Sequence, residues 1–184
     1  MNKGIVSLFI IFVFVFCSSN KPFEHNKFVQ NDDKILWSSD RKLKWEDFRG
    51  TVDTTNSMVV ASTFSEIEVV KSYFKNGLPK YIVESHFIKS KSWTNSSDDY
   101  VLSHEQLHFD ISELFKRKIA KSFDSLNAKK IKDYKVYSNT YINFCEKSNR
   151  YQDLYDSQVY FDSIKQKQWI EKISNELDKL KAYQ

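Results

Sequence analysis

Leu102-Ser103-His104-Glu105-Gln106-Leu107-His108-Phe109-Asp110-Ile111-Ser112-Glu113 is the stretch on which the fold turns. Leu107, Ile111, Leu114 or Phe115, Lys118 or Ile119, and Phe123 recur at helical spacing and predict one buried stripe of a long helix. His104 and His108 continue that stripe. Four residues apart on a helix, they lie about 40° apart around the axis, so both imidazoles can reach one Zn²⁺. Glu105 then sits beside the metal, where it can take a proton from a bound water. The bland alternative is a pair of hydrogen-bonded histidines on a half-buried helix face, with no metal.

Working outward, Asn95-Ser96-Ser97-Asp98 supplies N-cap chemistry for this helix, which is expected to run to about Leu126. Before it, residues 58–74 and 79–93 read as a β-hairpin. Val59, Ala61, Thr63, Ser65, Ile67 and Val69 alternate with a second set, and Asn76-Gly77 suits a type I′ turn, whose two central residues need positive φ. On the return strand Tyr81, Val83, Ser85, Phe87 and Lys89 share one face; Ile82, Glu84, His86 and Ile88 share the other. His86 is expected to be a strand-face histidine without a metal. Trp37, Trp45 and Phe48 are expected to plug one end of the core.

After the first helix, a second is expected from about Ser138 to Val159. A third opens at Ser163-Ile164-Lys165-Gln166, which has the form of a capping box, and continues through Trp169, Ile170, Ile173, Leu177 and Leu180. Scarce glycine and proline (three and two) agree with a helix-rich body with few tight turns. The fold class expected is α+β: an antiparallel hairpin or small sheet packed on about three helices.

Residues 1–19 read as an export signal. Lys3 gives a cationic start, and residues 5–16 form an apolar run too short to span a bilayer as a helix. Cys17 directly after it suggests a lipoprotein signal; cleavage after Ser19 is the alternative. Residues 20–34 form a polar tether, and 35–184 a single domain, long enough for a proper core. The expected location is the cell envelope, through a lipid anchor at Cys17, or the exterior. With Cys17 lipidated or removed, Cys145 is left without an intramolecular disulfide partner. The net charge of +4 is scattered among acids, so the lysines read as solvated faces and no nucleic-acid partner is expected. Oligomeric state is not legible.

Zinc hydrolases hold their metal with three protein ligands and leave a fourth position for water. His104 and His108 are two ligands and Glu105 the general base. Asp110 and Glu113 are candidate acceptors for an imidazole N–H, but neither points with the histidines, and both read as surface charge. A third histidine six residues after the second is excluded, since position 114 is Leu. No serine or cysteine nucleophile signature and no phosphate-binding glycine loop is present in the sequence.

The stretch 102–113, preceded by Ser92-Trp93, resembles DUF922, a bacterial secreted family regarded as zinc-dependent proteases. Lys42-Leu43-Lys44-Trp45-Glu46-Asp47-Phe48-Arg49-Gly50 looks like its N-terminal signature and Tyr155-Asp156 like its C-terminal one; the similarity covers most of residues 35–170. The resemblance implies a zincin-like fold and a metallopeptidase of the HExxH type. It also marks a departure. The family's C-terminal signature runs Tyr-Asp-x-x-Thr-x-His-Gly, and its histidine is the natural third ligand. Here Val159, Phe161 and Asp162 stand at the threonine, histidine and glycine. Phenylalanine cannot bind zinc, so the third ligand is open among Asp162, Asp156 and Glu146, or absent. An ordinary role is expected for two of them: Asp162 beside the Ser163 cap, and Asp156 in an ion pair or hydrogen bond on the helix.

The function expected is peptide hydrolysis of a peptide or protein substrate by zinc-activated water, with Glu105 as base and Tyr155 supporting the oxyanion. An extended substrate is expected to pair with an edge strand at 89–93. The rival is a catalytically degenerate envelope protein that lost its third ligand at Phe161 and acts as a binding or structural module.

Overall fold

A computed structural model describes residues 32–55, 59–159 and 162–184. The expected signal, most of the tether, Cys17 and Phe161 lie outside the described residues. The α+β class is as expected: three helices pack on a small antiparallel sheet. The strands are β1 (Lys34–Leu36), β2 (Ala61–Ser62), β3 (Ser65–Lys75), β4 (Leu78–Ile88) and β5 (Trp93–Thr94). The helices are α1 (Asp99–Ala128), α2 (Tyr134–Val159) and α3 (Ser163–Lys179).

β3 and β4 form the hairpin. Lys75 pairs with Leu78 across Asn76 and Gly77, whose φ of 53° and 71° are both positive, as the type I′ reading requires. The hairpin starts at Ser65, not 58. Ala61 and Ser62 leave it to pair with Thr94 and Trp93 in a separate two-stranded ribbon. The larger sheet has the order β1-β4-β3. Val83, Ser85 and Phe87 face inward from β4 and lie against α1. The domain begins before residue 35, because Lys34 opens β1 and Asp33 accepts from Ser90 at its backbone N and its Oγ.

Asp98 caps α1, its carboxylate accepting from Tyr100 N and Val101 N. α1 is buried nearly all round between Leu107 and Arg117, because the sheet covers one side and α2 and α3 the other. Asp110 and Glu113 are therefore not surface charges. Asp110 accepts from Trp37 Nε1 at 2.7 Å and from Gln106 Nε2 at 2.8 Å. Glu113 accepts from Arg117 Nε at 2.7 Å and from Lys116 at 3.3 Å, and those cations reach on to the carbonyls of Leu177 and Tyr183 near the chain end.

The N-terminal segment is pinned to the same helix. Gln106 Oε1 accepts from Leu43 N at 2.7 Å. Of the expected aromatic plug, Trp37 and Phe48 are buried in the core and Trp45 is half-buried against it, with Leu43 buried beside them. Gly50 is a close approach: a Cβ there would lie 2.9 Å from Ser92 O and 3.0 Å from Ser90 O. Residues 89–93 are not a free edge strand. Lys89–Lys91 is a 3₁₀ turn, and Trp93 already pairs with Ser62. Ser92 makes this junction: its Oγ lies 2.8 Å from Ile88 O and accepts from Phe64 N, while its carbonyl takes Gly50 N.

Cys145 is buried and is not a free thiol, so the expected cysteine outside any disulfide is not found. Among the described residues no helix is long and apolar enough to cross a membrane.

Candidate metal centre

The second turn of α1 and the last turns of α2 face each other. α1 contributes His104, Glu105 and His108; α2 contributes Gln152, Tyr155 and Asp156. On α2 the residues 148, 152, 155, 156 and 159 recur at helical spacing, so the same face that buries Val159 also carries Gln152 and Asp156 inward.

Three ligand atoms converge. His108 Nε2 lies 2.9 Å from Asp156 Oδ1, His104 Nε2 lies 3.2 Å from it, and the two Nε2 atoms are 3.1 Å apart. A tetrahedral zinc with bonds of about 2.0–2.1 Å needs ligand atoms roughly 3.3–3.4 Å apart. The observed triangle is a few tenths of an ångström tighter, so it would open slightly on binding. The donor set fits on chemical grounds too: two imidazoles and a carboxylate form a common catalytic zinc set. Both Asp156 oxygens are buried, and neither receives an aligned hydrogen bond among the described residues, although the imidazoles stand at ion-pair distance. A buried carboxylate short of aligned donors suits a bound cation, and His104, His108 and Asp156 form a group that could hold a metal ion.

The electrostatics follow from this crowding. Burial would depress His108, but the adjacent Asp156 outweighs it, helped by Glu105 and Gln152, and holds the imidazole up at about 9. Burial raises Asp156, and the two imidazoles overcome it and bring the carboxyl down to about 2. Glu105 is buried, with Oε2 unpartnered among the described residues, and its charge acts on both His108 and Tyr155. Access is from the His104 side: its side chain is 19% exposed, against 2% for His108.

Tyr155 lies against both imidazoles, at 4.7 Å from His104 and 5.0 Å from His108 between ring centroids. Trp169 of α3 backs it at 5.4 Å. Its hydroxyl is buried without a partner among the described residues, and burial, with the charges of Asp156 and Glu105, pushes it far above the usual phenol range.

Of the three candidates for a third ligand, Asp156 alone reaches the histidines. Asp162 is the N-cap of α3, accepting from Ile164 N at 3.1 Å and Lys165 N at 3.0 Å. This corrects the cap expected at Ser163: a carboxylate is the stronger acceptor and suits the positive end of the helix. Glu146 is on the exposed side of α2, 4.0 Å from Arg150. His86 is on the outer face of β4 between Glu68 and Glu84, as a strand-face histidine should be. The partner of the His108 ring was not foreseen either. It is Gln152, whose Oε1 lies 2.7 Å from His108 Nδ1, and not Asp110 or Glu113. The legible signal was the polar pair Ser148 and Gln152 interrupting the buried stripe of α2.

Comparison with protein-family models, characterised proteins and solved structures finds no match to this chain.

Proposed function

We propose that the chain is an exported zinc-dependent peptidase with a zincin-like body, akin to the DUF922 proteins, in which His104, His108 and Asp156 hold the metal. The observation that carries this reading is the meeting of three ligand atoms 2.9–3.2 Å from one another, with Glu105 Oε2 alongside and unpartnered among the described residues. Zinc held there would act as a Lewis acid and bring the pKa of a water in its open position to about 7. The remaining work falls to the chain's own residues. Glu105 accepts the proton of the attacking water and delivers it to the departing amine. Tyr155 stays protonated at neutral pH, so it acts as a donor toward the developing oxyanion. The substrate is a peptide or protein that enters from the His104 side. The apolar run at 5–16 supports export, to the envelope or the exterior.

The rival reading drew its strength from Phe161, which lies outside the described residues; Asp156 offers a ligand that does not depend on it. The test is zinc content and cleavage of a mixed peptide library by the purified chain, Glu105→Gln and His104→Ala. About one zinc per chain is expected in the first two and none in the last, with cleavage by the parent alone. A zinc-free parent overturns the reading. Zinc without cleavage of any peptide favours the non-catalytic module.

A further inference from the structure

The structure assigns Gln152 as the positioning residue of this site: its side-chain carbonyl takes the Nδ1 proton of His108 and so leaves the Nε2 lone pair for the metal. The assignment rests on the zinc reading above. His108 Nδ1 and Gln152 Oε1 are 2.7 Å apart. Which end of the amide faces the ring follows from its other contacts. Gln152 Nε2 lies 2.9 Å from the carbonyl of His108 and 3.3 Å from Ser112 Oγ. Turned over, the amide would set two oxygens face to face at that first distance with no proton between them. The carbonyl end therefore faces the imidazole, and Nδ1 must be the donor.

A neutral imidazole with its proton on Nδ1 keeps its lone pair on Nε2. That is the atom that meets His104 Nε2 and Asp156 Oδ1. The opposite tautomer would leave Gln152 Oε1 without a donor in a fully buried place, an arrangement that protein interiors avoid. The support runs further back. Ser112 Oγ, which accepts from Gln152, is 2.6 Å from Ser65 Oγ on β3, and Gln152, Ser112 and Ser65 are all 0% exposed. A fully buried line of direct polar contacts thus fixes the ring from the sheet outward. Metal-bound histidines characteristically donate their second N–H in this way, often to a carboxylate, which raises ligand basicity. Here the acceptor is a neutral amide, so it sets the tautomer while adding no charge.

The experiment compares the full chain with Gln152→Leu and Gln152→Glu. Zinc affinity is read by competition with a chromophoric chelator, and the His108 Nδ1 proton by nitrogen-edited NMR. Gln152→Leu is expected to bind zinc about 10–100-fold more weakly and to lose the slowly exchanging Nδ1 proton. Gln152→Glu keeps an acceptor for that proton but sets its second oxygen against the carbonyl of His108, so it is expected to keep the proton and to bind zinc more tightly than Gln152→Leu. Unchanged affinity in Gln152→Leu, or an equal loss in both variants, overturns the positioning role. A parent that binds no zinc instead removes the zinc reading. In that event the NMR signal still decides whether Gln152 holds the Nδ1 proton: its loss in Gln152→Leu alone supports the assignment, and its persistence there overturns it.

Discussion

The imidazole of His104 lies nearly flat on the ring of Tyr155, with centroids 4.7 Å apart and planes at 24°. The same ring meets His108 edge-on, at 71°. One aromatic side chain of α2 thus wedges both imidazoles of α1 while its hydroxyl stays unpartnered among the described residues. Tyr155→Phe keeps the wedge and is expected to retain zinc, with kcat lowered by about 10²-fold and KM little changed. Tyr155→Ala removes the wedge and should cost about 3–5 kcal/mol in urea unfolding. A Tyr155→Phe protein with parental kcat would take Tyr155 out of the chemistry.

In the chelator-treated chain, stability should depend on pH through the His108–Asp156 pair. The folded pKa of His108, about 9, lies above its unfolded value of 6.5, so its contribution is complete below about 6.5 and lost as pH rises through about 9. Asp156 is held at about 2, below 3.8, so its contribution is complete above about 3.8 and lost as pH falls through about 2. The expected Tm profile is a plateau from roughly pH 4 to 6.5 and a decline toward pH 10. Zinc replaces the proton and should flatten the alkaline limb. An alkaline limb equally steep in chelator-treated His108→Asn would place its origin elsewhere.

Gln106 and Asp110 serve the fold and not the metal. Gln106→Ala strands the N–H of Leu43, and Asp110→Ala strands the indole N–H of Trp37. Each is expected to cost about 1–3 kcal/mol while zinc content stays at the parental level. Chemical denaturation and metal analysis on the same preparations check both halves.

Gly50 tolerates no side chain. Gly50→Ala sets a methyl group 2.9 Å from one backbone carbonyl oxygen and 3.0 Å from another, neither of which can rotate away. A loss of about 1–3 kcal/mol is expected, read as a lower urea midpoint with an unchanged slope.

Local chemistry made much of the fold legible. Asn76-Gly77 marked the hairpin turn, the run Asn95-Ser96-Ser97-Asp98 the start of α1, and apolar spacing the first and third helices, while the second begins at Tyr134, one turn before the expected Ser138. What could not be read were relationships set by packing between elements. Asp110 and Glu113 seemed solvent-facing because a single amphipathic stripe leaves the other face to water, whereas α1 is enclosed by the sheet and two helices. Residues 89–93 read as a continuing strand because nothing local revealed that Ser92 would be claimed by Phe64 and Gly50. At the candidate site, His104, Glu105 and His108 stood out because their spacing is a property of one helix. Asp156 joins them only through the docking of α2, and the phenylalanine at position 161, five residues on in sequence, drew attention to a different position.

The hydrogen bond from Leu43 N to Gln106 has a bearing on any transplant of this centre. Gln106 stands inside the His-Glu-x-x-His pattern, at a position the metal does not use, yet it holds a strap of chain 63 residues earlier in sequence. A helix pair copied alone into another scaffold would carry the ligands but lose that strap, and with it the shell that closes around α1. The smallest portable unit therefore includes residues 37–50, and a designer who trims to the motif would inherit the pattern without its shelter.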